Sequence, residues 1–219
     1  MNFVFHPALA AQIRKSGIIA VLAIDKADDA VPLARALFEG GVNVMELTLR
    51  TDAAIESLRK IRAEVPEMIV GAGTILTPDQ LALTIDAGAA FGVAPGVNPR
   101  ILAAAHEARF PFAPGVCTPT DMEIAIEHGC RLLKFFPAES MGGLAYLKAA
   151  AVPFLHLGVS FIPLSGINGT NMVSYLADPL IAAVGGSWLA PKELIAIRDW
   201  RGIAARAAAA VEVIETTRR

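Results

Sequence analysis

Short runs of Val, Ile, Leu and Phe recur along the chain. Each is followed by a polar turn and then a longer segment with apolar residues at helical spacing. The runs predict strands over 18–24, 44–49, 69–73, 91–94, 112–116, 132–136, 161–165 and 182–186. The intervening segments predict helices over 28–39, 52–64, 78–87, 99–109, 119–128, 144–151, 169–176 and 191–210. Thr77-Pro78, Asn98-Pro99 and Thr118-Pro119 have the form of an N-cap followed by a first-turn proline. Gly40-Gly41, Gly88 and Gly129 fall where helices should end, as left-handed C-caps do.

Apolar strands that alternate with helices predict a parallel sheet whose faces are covered, and eight such units can close into a (β/α)8 (TIM) barrel. The expectation is therefore an α/β protein, one (β/α)8 barrel domain spanning 1–219, with a doubly wound open sheet as the structural alternative. Ahead of the first strand, 7–16 predicts a short extra helix that covers the bottom of the barrel. No linker or low-complexity tract interrupts the pattern.

Composition narrows the function. Hydrophobic residues make up 54% of the 219 residues and charged ones 18%, with a formal net charge of −2 and no basic block. Nucleic acid and anionic membrane surfaces are poor partners for such a chain. The uncharged stretch 149–177 contains Pro153, His156, Gly158, Pro163, Asn168 and Asn171, which rules out one continuous apolar helix. It predicts a helix end, a strand, a loop and another helix. Residues 1–11 have no basic leader region. Cys117 and Cys130 have no metal-like spacing, so a reduced, cytoplasmic setting is expected.

In a barrel of this type chemistry belongs at the C-terminal ends of the strands. Within 44–50 the alternation puts Glu46, Thr48 and Arg50 on one face and Met45, Leu47 and Leu49 on the other. If the apolar face meets the helices, Glu46 and Arg50 point inward, as site residues or as a plain structural ion pair. Lys134 alone among the lysines sits inside an apolar strand. Low polarity and a nearby cation favour a neutral amine, the form that attacks a ketone; a lysine merely paired with Glu46 is the alternative. Ser165-Gly166 and Gly185-Gly186-Ser187 end the last two strands, where barrels commonly bind phosphate through backbone N–H groups. Thr74 is positioned to donate to a carboxylate or to cap a helix. Pro95 shapes a pocket wall or a turn, and Cys117 either touches the pocket or is a small apolar filler. The four histidines share no strand end, so no metal site is expected.

Taken together, Glu46-x-Thr48-Leu49-Arg50-Thr51, Val70-Gly71-Ala72-Gly73-Thr74, Ala94-Pro95-Gly96, Lys134-Phe135-Phe136-Pro137-Ala138-Glu139 and Gly185-Gly186-Ser187-Trp188-Leu189 resemble the 2-keto-3-deoxy-6-phosphogluconate (KDPG) and 4-hydroxy-2-oxoglutarate (KHG) aldolase family. The resemblance implies a class I aldolase without metal or other cofactor, usually a homotrimer. Its reaction yields pyruvate and glyceraldehyde 3-phosphate, and some relatives accept 4-hydroxy-2-oxoglutarate. It further implies Lys134 as the Schiff-base lysine and Glu46 as the proton-transferring carboxylate. Arg50 and Thr74 would hold the pyruvate carboxylate, and Ser165, Gly166 and Gly185–Ser187 the phosphate. Leu164 departs from the family, many members of which carry threonine there. It cannot donate a hydrogen bond to a distal hydroxyl or phosphate. The alanine-rich tail, 201–219, offers no chemistry.

Retro-aldol cleavage needs an electron sink next to the breaking bond, and an iminium on Lys134 would supply it. Two other readings compete: another sugar-phosphate barrel, such as an epimerase or isomerase, and a metabolite-binding barrel without turnover.

Overall fold

The computed structural model describes residues 5–218. Residues 1–4, part of the segment read as leaderless, and Arg219, the end of the tail, lie outside the described residues. Helix α1 (Pro7–Ser16) opens the fold. The strands are β1 (Ile18–Leu22), β2 (Val44–Thr48), β3 (Ile69–Gly73), β4 (Gly92–Val93), β5 (Phe112–Ala113), β6 (Gly115–Val116), β7 (Leu132–Phe135), β8 (Ser160–Pro163) and β9 (Val184–Gly186). The remaining helices are α2 (Ala30–Glu39), α3 (Ala54–Glu64), α4 (Pro78–Asp86), α5 (Pro99–Glu107), α6 (Pro119–Glu127), α7 (Gly143–Ala151), α8 (Met172–Leu176), α9 (Lys192–Ala196) and α10 (Trp200–Thr217).

All the strand pairings are parallel. Six strands lie in the order β5-β4-β3-β2-β1-β9 and three in the order β6-β7-β8. The result is an α/β fold with a curled parallel sheet. Single bridges, Phe161 to Ile181 and Leu164 to Gly185, tie the β8 side to the β9 side. The sequence predicts one strand over 112–116, but the ladder is split at Pro114, which has no N–H to contribute. The Pro114 carbonyl instead accepts a hydrogen bond from the Lys134 N–H at 2.9 Å.

Two apolar layers result from the alternation within strands. Met45, Leu47, Val70 and Phe135 face the helices, while Ile19, Val44, Phe91, Leu132 and Ile162 fill the concave side with Ile13 of α1. Fully burying each such side chain stabilises by about 1.5–3 kcal/mol. Helix α1 thus seals one end of the concave layer, as expected from its apolar positions.

The predicted helix starts hold. Thr77, Asn98 and Thr118 accept hydrogen bonds from the N–H groups of Gln80, Arg100 and Asp121. The predicted helix over 191–210 is instead two helices. Arg198 adopts φ 56° and donates to the buried Asp29 at 2.8 Å, and Asp199 caps α10 by accepting from the Gly202 N–H. Apolar periodicity runs through this junction and hides it. The uncharged stretch resolves into the end of α7, a 3-10 segment at Val152–Leu157, β8, a loop and α8. Among the described residues no helix is long and apolar enough to cross a membrane.

Candidate active site

A cavity of about 200 Å³ opens at the C-terminal ends of the strands. Its walls include Glu46, Thr48 and Arg50 from β2 and the residues beyond it, Thr74 after β3, Pro95 after β4, and Lys134 of β7. Across from these stand Ser165 and Gly166 after β8, with Gly185, Gly186 and Ser187 of the β9 end. Every site residue singled out in the sequence therefore borders one space.

At its floor Lys134 Nζ lies 3.3 Å from Glu46 Oε1, and both side chains are buried, at 7% and 2% exposure. Two backbone features place them. Glu46 pairs with Gly71, and its carboxylate lies over Gly73, where a Cβ would sit 1.7 Å from Oε1. Only glycine leaves that volume free. Lys134 is paired with Gly115 on one side and Ile162 on the other, so its side chain alternates inward with Leu132. Its ammonium also stands 5.5 Å from the centroid of the Phe136 ring, a cation–π distance.

The side chain of Arg50 is held by relay. Its Nε donates to Thr48 Oγ1 at 3.1 Å, and the Thr48 hydroxyl donates to the Leu22 carbonyl at 3.1 Å. This leaves the ends of the guanidinium available to a planar anion, which a bidentate fork suits well. Thr74 adopts φ 60°, a left-handed conformation costly for a β-branched residue and common at ligand sites. It does not cap α4, because Thr77 does. Cys117 is not at the cavity; its N–H donates to Asp121 Oδ2 beside the capping box of α6. Burial first, then the charge of Asp121, pushes its thiol up. Among the described residues no three His, Cys, Asp or Glu side chains gather as a metal would require.

At the far wall the backbone comes close to its neighbours. A Cβ on Gly186 would lie 2.1 Å from the Trp188 ring, and one on Gly185 would lie 2.9 Å from Leu164 Cγ. Four wall residues were not among the sequence-based candidates, Val21, Thr48, Phe136 and Ile167, while Leu164 lines the wall at the position already singled out. The alternation in β1 and β2 carries a signal for Val21 and Thr48. Nothing local distinguishes Ile167, which is an ordinary buried loop residue until the fold turns it toward the cavity.

Comparison with known proteins finds aldolases by sequence and by structure. A family model described as KDPG and KHG aldolase matches residues 9–206. The KHG/KDPG aldolase of Escherichia coli K12 is 43% identical over 195 residues, covering 89% of this chain and 91% of that protein. The 2-dehydro-3-deoxy-phosphogluconate aldolase of Dickeya dadantii is 44% identical over 203 residues, covering 92% and 94%. Among solved structures, KDPG aldolase from Legionella pneumophila, with pyruvate captured at low pH as a covalent carbinolamine, superposes with a TM-score of 0.87. It shares 38% identity and covers 91% of this chain and 97% of that one. With the match running from within α1 into α10, the chain belongs to the KDPG and KHG aldolase family.

Proposed function

We propose that the chain is a class I aldolase that reversibly cleaves KDPG to pyruvate and glyceraldehyde 3-phosphate, and that it also takes 4-hydroxy-2-oxoglutarate, giving pyruvate and glyoxylate. The buried Lys134–Glu46 contact at the floor of the cavity carries this reading. In it, Lys134 Nζ adds to the C2 ketone, water leaves, and an iminium forms. The C4 hydroxyl then gives its proton to Glu46, directly or through one water. The C3–C4 bond breaks, its electron pair moves into the enamine on Lys134, and the aldehyde departs. Glu46 returns that proton to C3, and water adds to the resulting iminium to release pyruvate and free the lysine. Making the iminium from a protonated lysine expels two nitrogen protons in the departing water and hydrolysis restores them, so the protons balance and no other group is needed as the electron sink.

Arg50 and Thr74 hold the pyruvate carboxylate in this scheme, with Pro95 closing the wall beside them. Ser165, Gly166, Gly185, Gly186 and Ser187 receive the distal phosphate. Leu164 presents an apolar side chain toward the middle of the substrate, so the hydroxyls there rely on water or on other groups. We also propose that the curled sheet is a closed (β/α)8 barrel forming one domain over 1–219, with β5 and β6 as one staggered strand bent at Pro114. The bridges between the β8 and β9 sides support that closure. The assembly proposed is a homotrimer; Leu83, Val152 and Ile197 supply exposed apolar surface for subunit contacts. Two unpaired thiols fit a cytoplasmic setting.

The test is borohydride reduction in the presence of pyruvate, followed by peptide mapping. An adduct on Lys134 and on no other lysine is expected. No adduct, or one on Lys26, would overturn the assignment and favour an epimerase-type or binding-only barrel. For the phosphate, kcat/KM for KDPG and for 4-hydroxy-2-oxoglutarate is compared in the parent and in Ser187→Ala. Ser187 is the better probe than Gly186, where any side chain would strike the Trp188 ring.

A further inference from the structure

Behind the loop that follows β8 lies a contact that the chemistry at Lys134 does not use. The chain leaves β7 through Pro137 and Ala138 into a 3-10 turn at Glu139–Met141. There the Ala138 N–H donates to the Leu164 carbonyl at 2.8 Å, and the Glu139 N–H to the Ser165 carbonyl at 3.2 Å. Gly166 lies flat against the side chain of Glu139, since a Cβ on it would be 2.6 Å from both Cβ and Cγ of that residue. From the other side Tyr175 of α8, only 2% exposed, donates its phenol hydrogen to Glu139 Oε1. Burial first, then the hydrogen bond and charge of Glu139, pushes this phenol above its ordinary range, so it stays a donor at any working pH.

The segment so held is unusual. Ser165 and Gly166 both adopt φ 81°, and for Ser165 this left-handed conformation is strained and persists only where the surroundings impose it. The Gly166 carbonyl is also tied down, accepting from Asn171 Nδ2 at 2.9 Å and Asn168 Nδ2 at 3.3 Å. A loop restrained at Ser165 O, at Gly166 O and across the face of Gly166 presents its backbone in one orientation. That is what recognition of an anion by N–H groups requires.

We propose that Glu139, held by Tyr175, is a positioning residue that fixes Ser165 and Gly166 for the distal phosphate, and so sets the preference for phosphorylated over unphosphorylated substrates. This deepens the aldolase reading and rests on it. Glu139 is exposed and outside the cavity lining, so it acts through the loop and not on the reacting atoms.

Tyr175→Phe removes the donor, Glu139→Ala removes the carboxylate, and Glu139→Gln keeps an acceptor oxygen of the same reach. Tyr175→Phe and Glu139→Ala should each raise KM for KDPG about tenfold, the effect of one lost hydrogen bond in an ordered site. Borohydride trapping of pyruvate and kcat/KM for 4-hydroxy-2-oxoglutarate should stay within about twofold of the parent, and Glu139→Gln should restore most of the KDPG affinity. Glu139→Ala, a change at an exposed side chain, serves if Tyr175→Phe proves unstable. Equal losses on both substrates would mark the pair as merely structural, and unchanged KM for KDPG would overturn the proposal outright. If the parent traps pyruvate but shows no preference for KDPG, the phosphate assignment falls and this inference with it. If the parent traps no pyruvate, the aldolase reading itself has failed.

Discussion

Gly73→Ala tests whether the placement of Glu46, and not only its presence, sets the rate. The added methyl would lie 1.7 Å from Oε1, 2.5 Å from Cδ and 2.8 Å from Cγ of Glu46. Ordinary van der Waals contact requires the carboxylate to retreat by roughly 1.5–2 Å. Glu46 is 2% exposed and faces Lys134 at 3.3 Å, so a displaced carboxylate gives up the position it holds against the lysine. A 1 Å misplacement of a catalytic group can cost about 10²-fold in rate. The variant should therefore lose about 10²–10³-fold in kcat for KDPG cleavage, near the lower part of the range for a missing acid/base group. Trapping of pyruvate on Lys134 should survive, since the lysine strand is untouched. Overpacking should also lower stability by about 1–3 kcal/mol, read from denaturant melts. Single-turnover cleavage and borohydride trapping on the same preparation separate the two effects. Parent-like kcat in a folded Gly73→Ala protein would refute the assigned role of Glu46, because its carboxylate cannot then be where the proton is taken.

Glu46→Gln should lower turnover by about 10²–10⁴-fold while still forming the imine, and parent-like turnover would send the proton to another group. Gly40→Ala should destabilise by about 1–3 kcal/mol in thermal or denaturant melts, because a Cβ there would lie 2.4 Å from the Ala204 carbonyl and 2.5 Å from Ala207 Cβ. Gly40 itself has an ordinary helical φ of −77°, so an unchanged or higher melting point would mean that α2 and α10 are not so tightly packed. Asp178 is subject to burial, which raises its pKa, but hydrogen bonds from Lys148 and the Leu180 N–H outweigh this and hold it below the ordinary carboxylate value. Its stabilisation is therefore complete above the unfolded value of 3.8 and lost as pH falls through the lower folded one. Asp178→Asn should lower stability at neutral pH by about 1 kcal/mol and flatten the acid limb of a melting-point profile below pH 3.8. An acid limb as steep as the parent's would contradict the assignment.

Much of the site was legible because strands have a period of two. Glu46, Thr48 and Arg50 could share an apolar neighbourhood only by facing inward together, and burying Lys134 in an apolar strand is costly without a partner. Leu132 and Lys134 alternate for the same reason. The glycine-rich strand ends pointed to a phosphate site, but no local pattern shows that Gly73 makes room for Glu46 or that Gly186 is hemmed in by Trp188. Those are contacts between residues far apart in the chain or set by loop geometry. Thr48 was on the right face, and its function as the relay between Leu22 and Arg50 needed the neighbouring strand.

By itself, the sequence determined the alternation of strand and helix, the capped helix starts, and the inward set Glu46, Arg50 and Lys134, because these follow from backbone periodicity and the cost of burying charge. Tertiary structure decided the rest. It divided 191–210 at Arg198, where the bond to Asp29 outweighs helical propensity. It also brought Glu139 and Tyr175 together behind Ser165 and Gly166. Such features depend on what each segment meets across the fold, and that distance information is absent from any local pattern of apolar and polar residues.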